Sequence, residues 1–214
     1  MLNETLIERA LSWWVQDRGE AALSAARRAF EQATGAIEEA SADYEPRIAH
    51  FLEQHVCEGR DNPIVGFAAS THTLSDAERR ELAGWLRSHR SLFAFEGFDS
   101  EGGLLRDCVF GGAYHFWPSE RDRQLSPGDH FDARLVANGD LVCLTAGRVY
   151  HPREALDALR ALLSQLDVDS LPRATLLNGL LAMRSRYLTF ESVRAEHVYQ
   201  ARALSPVHLP MREP

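Results

Sequence analysis

The spacing of apolar positions changes twice along this chain. Over residues 1–90 the apolar side chains recur every three or four positions, as they do on one face of an α-helix. From Leu92 to Thr145 they alternate with polar side chains instead, and glycine-containing turns separate the alternating runs. Helical spacing returns after Pro152. The pattern therefore predicts an α+β protein in which N-terminal and C-terminal helices flank a central antiparallel sheet.

Helix start signals locate the N-terminal helices. Thr5 with Glu8, and Ser75 with Glu78, have the spacing of a capping box, in which each side chain accepts from the other residue's backbone N–H. Further helices are predicted between these two signals. The segment Asp61-Asn62-Pro63 predicts a break in the chain, since proline cannot continue a helix.

Six short strands are predicted between the two helical regions. They are residues 92–98, 104–110, 113–117, 130–136, 141–145 and 148–150. Gly111-Gly112 and Asn138-Gly139 predict two-residue hairpin turns, because these residues adopt the positive φ that such turns need. Ser126-Pro127-Gly128-Asp129 predicts a type II turn. This set predicts a small SH3-like or OB-like β-barrel, or a curled sheet.

The same pattern predicts how the chain is divided. A helical N-terminal region spans residues 1–90, and a small antiparallel β-barrel spans residues 91–150. C-terminal helices that pack on the rest span residues 151–203. Pro206, Pro210 and Pro214 predict an extended tail over residues 204–214.

The chain contains no lysine, and all 23 of its basic residues are arginine. This absence excludes a Schiff-base lysine, a phosphate-binding P-loop lysine and a lysine base. The formal net charge is −8, and the longest arginine runs are Arg27-Arg28 and Arg79-Arg80. Nucleic-acid binding depends on phosphate neutralisation, so this charge distribution does not favour a nucleic-acid partner.

Two further observations indicate a cytoplasmic protein without a membrane span. The chain has no run of about 18 apolar residues, and its first residues lack the basic and apolar regions of a secretory signal. Cys57, Cys108 and Cys143 are odd in number and widely spaced. We therefore expect reduced thiols rather than a disulfide framework.

Six short segments in the middle third of the chain form a recognisable set of core and turn residues. They are Glu78-Arg79-Arg80-Glu81-Leu82, Trp85-Leu86, Ser91-Leu92-Phe93, Leu105-Arg106-Asp107, Leu125 with Pro127-Gly128-Asp129, and Ala133-Arg134-Leu135-Val136. The set resembles a helix-plus-small-barrel module of uncharacterised bacterial proteins, some of which end in a zinc-binding SEC-C motif. The resemblance implies a non-catalytic module of unknown function. The SEC-C cysteines and histidine are absent here, so it implies no zinc site.

One predicted strand carries a set of polar side chains on a single face. His130, Asp132 and Arg134 are two residues apart, so they point to the side opposite Phe131, Ala133 and Leu135. His115 and Trp117, on a neighbouring strand, can join them. One interpretation is a recognition patch that combines an aromatic ring, a bidentate arginine and a titrating histidine. The alternative is a solvated barrel face with an Asp–Arg pair of little energetic weight.

Trp13 and Trp14 are adjacent on the first predicted helix. Neighbouring side chains on a helix point about 100° apart, so one ring can fill the core while the other lies at its boundary. One interpretation is an anchor for a protein partner or a homodimer interface. The alternative is a wide apolar stripe within the chain.

The remaining candidates for metal, cofactor or nucleophile chemistry are weak. His151 with Glu154, and Glu196 with His197, lack the close repeated spacing of zinc ligands, so no metal is predicted. His55 and Cys57 are two residues apart on a helix and therefore lie on different faces. No glycine pair stands between a strand and a helix as a phosphate loop does, so no cofactor is predicted.

These observations favour a non-enzymatic cytoplasmic adaptor that binds a protein partner or forms a homo-oligomer. One alternative is a hydrolase whose site is assembled from the separated residues Asp107, Asp129, His130 and His151. A second alternative is a barrel that binds single-stranded nucleic acid by stacking bases on Phe116 and Trp117.

Overall fold

The computed structural model describes residues 2, 4–59, 62–71, 73–190 and 192–204. Within these ranges the chain forms eight α-helices and one antiparallel sheet, so the predicted α+β fold is confirmed. The helices are α1 (Glu4–Arg18), α2 (Glu20–Thr34), α3 (Tyr44–Glu58), α4 (Pro63–Ser70), α5 (Asp76–Leu86), α6 (Leu156–Gln165), α7 (Arg173–Thr189) and α8 (Ala195–Val198). Short 3₁₀ turns are found at Glu120–Gln124, Arg153–Ala155, Val168–Ser170 and Ala201–Leu204.

The sheet is a strongly curled half-barrel. Its strands are β1 (His89–Asp99), β2 (Gly102–Asp107), β3 (Ala113–Phe116), β4 (His130–Asn138), β5 (Leu141–Leu144) and β6 (Val149–Tyr150). The strand order is β3-β2-β1-β4-β5, with β6 paired to β4, and all pairs are antiparallel. The curl brings the two ends together, where the N–H of Trp117 donates to the carbonyl of Val142 at 2.7 Å.

The inner face of the curl holds its own apolar core. Phe116 of β3 and Leu144 of β5 belong to one buried cluster with Phe93, Phe95 and Phe131 of the central strands. Edge strands that share a core must face each other across the curl. Successive side chains of a strand point to opposite faces of the sheet. Leu92 and Val136, each next to a residue of this core in sequence, therefore point to the outer face, where helices cover them.

Helix α5 lies close against the outer face because of one glycine. A Cβ added to Gly84 would meet the carbonyl oxygen of Ala137 at far less than contact distance. Glycine therefore permits the backbone of α5 to approach β4. The helix begins at the predicted capping box, in which the N–H of Glu78 donates to Ser75 Oγ at 3.2 Å and the N–H of Ser75 donates to Glu78 Oε2 at 2.7 Å.

Two local predictions differ from the structure, at the first helix start and at the C-terminus. Thr5 lies inside α1, which already includes Glu4, so it does not precede the helix as a cap. The predicted break before Pro63 is confirmed, since α3 ends at Glu58 and α4 begins at Pro63, where Asn62 accepts from the N–H of Val65 and the proline suits a first turn. Leu204 ends a 3₁₀ turn and is buried with the C-terminal helices. The rest of the predicted tail lies outside the described residues.

The three turn predictions have three different outcomes. At Pro127-Gly128 the φ of Gly128 is +90° and the N–H of Asp129 donates to the carbonyl of Ser126 at 3.0 Å, as a type II turn requires. The second hairpin is confirmed but shifted by one residue, since Asn138 pairs with Leu141 around Gly139-Asp140. The two-residue turn at Gly111-Gly112 is wrong, because β2 already ends at Asp107.

Candidate functional site

The residues predicted on β4 do share one face, but water does not reach it. His130, Asp132 and Arg134 are 3%, 1% and 4% exposed. They lie on the outer face of the curl, which helices cover. The exposed patch and the solvated face are therefore both wrong, because alternation specifies the side of the sheet and not what packs on it.

Two of the three residues on the buried face, Asp132 and Arg134, form ion pairs with neighbouring residues. Asp132 accepts from the guanidinium of Arg90 on β1, and Arg90 Nη1 donates to Asn178 Oδ1 of α7 at 2.9 Å. Arg134 donates to Ser88 Oγ at 2.7 Å and pairs with Glu58 of α3. These contacts join helices to the sheet.

The other two members of the predicted patch lie elsewhere. His115 lies in β3 and Trp117 directly follows it, and β2 and β1 separate β3 from β4. His115 Nε2 lies 3.0 Å from Asp99 Oδ2 in an exposed pair. Trp117 is 59% exposed. The five residues therefore do not form one surface, and the binding role proposed for them stays a prediction.

Trp13 and Trp14 both contact other residues of the chain. Trp14 is buried, and its ring lies 4.5 Å from that of His55 in an edge-on arrangement. Trp13 packs on Phe67, and a Cβ added to Gly66 of α4 would collide with its ring. A role for the pair in an interface stays a prediction.

The four residues of the hydrolase alternative have separate partners. Asp129 accepts from the N–H of Ser126 at 2.9 Å and from Arg153 at 2.8 Å. His151 Nδ1 lies 3.1 Å from the hydroxyl of Tyr199, and burial lowers its pKa to about 3. Each of these groups therefore has a structural contact of its own.

Asp107 instead belongs to an Asp–His pair that the sequence did not predict. Arginine only donates, so His89 Nδ1 accepts from Arg173 Nη1 at 2.9 Å and His89 Nε2–H donates to Asp107 Oδ2 at 2.7 Å. Burial opposes ionisation of Asp107, but hydrogen bonds from His89, Ser91 and two backbone N–H groups lower its pKa. The imidazole nitrogen that would take a proton from a nucleophile is bound to Arg173.

A concave site lies beside the end of the half-barrel where β3 approaches β5. It is a cavity of about 340 Å³ between α1, α3, α5 and the segments that follow β3 and β5. Most of the lining is apolar and includes Leu2, Ile7, Leu52, Trp85, Trp117 and Leu144. A largely apolar cavity of this size with a few polar groups is typical of a small-molecule site.

Two carboxyl groups in the wall are occupied by structural contacts. Glu53 accepts from Thr145 Oγ1 and from the N–H of Gly147, both at 2.7 Å. Burial raises the pKa of Glu53. Asp122 accepts from Arg148 Nη1 and from the N–H of Ser119, both at 2.6 Å. These carboxyl groups hold the wall together. Each accepts from a hydroxyl, of Thr145 or of Ser119, and neither is hydrogen-bonded to a histidine among the described residues.

One polar atom in the wall is left without a partner. Trp85 is 4% exposed, and its Nε1 has no hydrogen-bond partner among the described residues. The close approach of α5 at Gly84 places this ring in the wall. An unpaired buried donor costs about 1–3 kcal/mol, so an acceptor from a ligand would recover free energy here.

The sequence contains a signal for the covered polar face of α3, which contributes Glu53 to this site, and its interpretation missed that signal. Arg47, His50 and Glu53 recur every three residues on α3, and all three are buried. A stripe of charged side chains at helical spacing, next to the apolar Phe51 and Val56, indicates a helix whose polar face is also covered. Trp85 carries no comparable signal, because the sequence does not distinguish a core tryptophan whose N–H has a partner from one whose N–H has none.

Searches for other kinds of site and for related proteins had negative results. In the part of the chain that the structure describes, no group of three or more His, Cys, Asp or Glu side chains is placed to hold a metal ion. No described helix is long and apolar enough to cross a membrane. No family model, curated protein or solved structure matches the chain. The resemblance to the helix-plus-barrel module therefore stays a prediction.

Proposed function

We propose that this chain is a non-enzymatic binding protein whose ligand is a small, largely apolar molecule carrying a hydrogen-bond acceptor. The ligand occupies the cavity between α1, α3, α5 and the open side of the half-barrel. The observation that carries the proposal is that Trp85 lines this apolar cavity while its buried indole N–H has no protein partner among the described residues.

Structural contacts with described residues engage two of the three carboxyl groups in the wall, Glu53 and Asp122 but not Glu8, and this supports binding rather than catalysis. A general acid or base must reach the reacting group, whereas both oxygens of Glu53 are engaged by Thr145 and Gly147. Asp122 is likewise engaged by Arg148. Shape and one directional hydrogen bond then determine which ligand fits.

Trp117 supplies the second feature of the site. Its backbone N–H joins the two ends of the curled sheet, and its ring is exposed next to the cavity. An exposed tryptophan beside an apolar cavity can close over a ligand and report its binding. A regulatory adaptor role is compatible with this proposal if the bound ligand alters the surface around Trp117.

The experiment compares two probes of nearly equal shape. Acetylnaphthalene carries a carbonyl acceptor, and ethylnaphthalene does not. Binding is measured by saturation-transfer NMR and by tryptophan fluorescence. One hydrogen bond to a buried donor is worth about 1 kcal/mol, so we expect acetylnaphthalene to bind about fivefold more tightly.

Two variants assign that preference to the cavity. Trp85→Phe keeps an aromatic ring and removes the N–H, so it should abolish the preference. Trp14→Phe is the matched control, because Trp14 Nε1 is also buried without a partner but lines a different cavity. Ala146→Leu should fill the site and weaken both probes. An unchanged preference in Trp85→Phe, or no binding of either probe, contradicts the proposal.

A further inference from the structure

A second, smaller cleft lies on the outer face of the half-barrel, away from the apolar cavity. It has a volume of about 280 Å³ and separates α6 from strands β1, β2 and β4. Its floor is apolar and contains Leu92, Leu159 and Leu163. Arg106 of β2 and Arg160 of α6 line its sides, and His130 of β4 lines its interior.

His130 lines this cleft and has an acceptor without a partner among the described residues. Its Nδ1 lies 2.8 Å from the carbonyl oxygen of Gly128, and a carbonyl only accepts, so Nδ1 carries the proton. Nε2 is then a bare lone pair in the neutral ring. It is buried and has no hydrogen-bond partner among the described residues.

Burial favours the neutral form of this imidazole. It lowers the pKa of His130, and the charges of Arg160 and Arg106 lower it further, against the opposing effects of the hydrogen bond to Gly128 and of the Asp129 charge. Each arginine also has an exposed acidic neighbour on its outer side. Arg106 Nε lies 2.7 Å from Glu96 Oε1, and Arg160 Nη1 lies 3.3 Å from Asp157 Oδ1.

The two arginines and the His130 acceptor around this cleft favour one kind of ligand. The arginines favour an anion, and an unprotonated Nε2 requires a donor. Carboxylates and sulfate carry no proton near neutral pH. Inorganic phosphate carries negative charge and keeps at least one O–H there, so it satisfies both requirements at once.

We propose that the cleft between α6 and the half-barrel is a site for inorganic phosphate. The guanidinium groups of Arg106 and Arg160 bind its oxygens, and its O–H donates to His130 Nε2. The site is independent of the apolar cavity and does not rest on the function proposed for that cavity.

Isothermal titration at low ionic strength compares three anions. Inorganic phosphate should bind at least about tenfold more tightly than sulfate, which cannot donate to His130. Phenyl phosphate at about pH 8 is a dianion without an O–H, because the second pKa of a phosphate ester is about 6, and it should behave like sulfate. Equal affinities for the three anions, or no binding of phosphate, overturn the proposal.

One variant with a matched control tests the location. Arg160→Gln should lower phosphate affinity about tenfold, the effect of losing one charged hydrogen-bond partner. Arg123→Gln should leave it unchanged, because Arg123 is also an exposed arginine three residues after an acidic partner but lies outside the cleft. Equal effects of the two changes overturn the proposal.

A spectroscopic measurement on the unaltered protein avoids any dependence on folding of a variant. Nitrogen NMR should show the His130 Nε2 resonance shift when phosphate is added at about pH 7, where the ring is neutral, and no shift with sulfate. A His130 resonance that does not respond to phosphate overturns the assignment.

Discussion

The guanidinium of Arg90 binds both carboxylate oxygens of Asp132, with Nε 3.0 Å from Oδ1 and Nη2 2.8 Å from Oδ2. Both side chains are about 98% buried. The pair links β1 to β4 on the outer face of the sheet, and Asn178 extends it to α7. A buried ion pair of this kind favours one arrangement of helices on the sheet, because any other packing leaves a charge unpaired.

Replacing one partner of the Arg90–Asp132 pair should lower the free energy of unfolding far more than replacing both. Asp132→Asn or Arg90→Met alone is expected to lower the free energy of unfolding by about 3–5 kcal/mol, because the remaining polar group or charge stays buried without its partner. The double change should recover a large part of this loss. Urea unfolding of the four proteins measures the coupling, and additive losses contradict this account.

Stability should fall as the pH drops below neutrality. Burial lowers the pKa of His50 to about 4 and that of His151 to about 3, from an ordinary value of 6.5. Between pH 6.5 and those values the unfolded chain binds protons that the folded chain does not. Each histidine therefore lowers the free energy of unfolding by about 1.4 kcal/mol per pH unit in its window.

Glu53 opposes the effect of the two histidines on stability, and a His50 variant provides the control. The raised pKa of Glu53 acts in the opposite sense, since the folded chain holds that proton to higher pH than the unfolded chain. His50→Asn can still donate to the carbonyl of Gly147, which His50 Nδ1 contacts at 2.7 Å, but does not titrate. Urea unfolding at about pH 7 and about pH 5 should show a smaller loss in this variant. An equal loss assigns the pH dependence to other groups.

Gly84→Ala should destabilise the protein although alanine favours helices. Alanine in a helix interior is worth about 1 kcal/mol over glycine. At Gly84 the added methyl group meets the backbone carbonyl of Ala137, so α5 must move away from β4. We expect a net loss of about 2 kcal/mol or more in thermal and urea unfolding, as is usual for overpacking.

The matched control for Gly84 is Gly179→Ala in α7. There the new methyl group meets only the side-chain end of Leu204, which can rotate away. The free energy of unfolding should change by less than about 1 kcal/mol, because the gain in helix propensity offsets the crowding. Similar losses at both glycines contradict the close packing of α5 on β4.

Replacement of Asp107 should lower the free energy of unfolding. Its Oδ1 accepts from Ser91 Oγ at 2.7 Å and from the N–H groups of Val109 and Phe110, both at 2.9 Å. Asp107→Ala leaves these donors unpaired and should cost about 2–3 kcal/mol. Asp107→Asn keeps an acceptor for the two N–H groups and should cost less. Hydrogen exchange of Val109 and Phe110 checks this, and unchanged protection in the alanine variant contradicts it.

The turn after β2 explains why one local prediction failed. Two adjacent glycines at residues 111 and 112 indicated a two-residue hairpin, but Asp107 binds the N–H groups of Val109 and Phe110 and ends β2 early. An aspartate that captures backbone N–H groups competes with strand pairing. The sequence contains both the glycine pair and the aspartate, and only the strand pairing in the structure shows which of them determines the turn.

Period and turn chemistry in the sequence were sufficient to establish the fold class, the strand set and the common face of His130, Asp132 and Arg134. These features depend on neighbours two to four residues apart, so local spacing specifies them. Tertiary structure alone decided that α3 and α7 cover that face, that Gly84 admits α5 to the sheet and that Trp85 is left without a partner. Such contacts join residues distant in sequence, and which of them form depends on the packing of the whole chain rather than on any short segment.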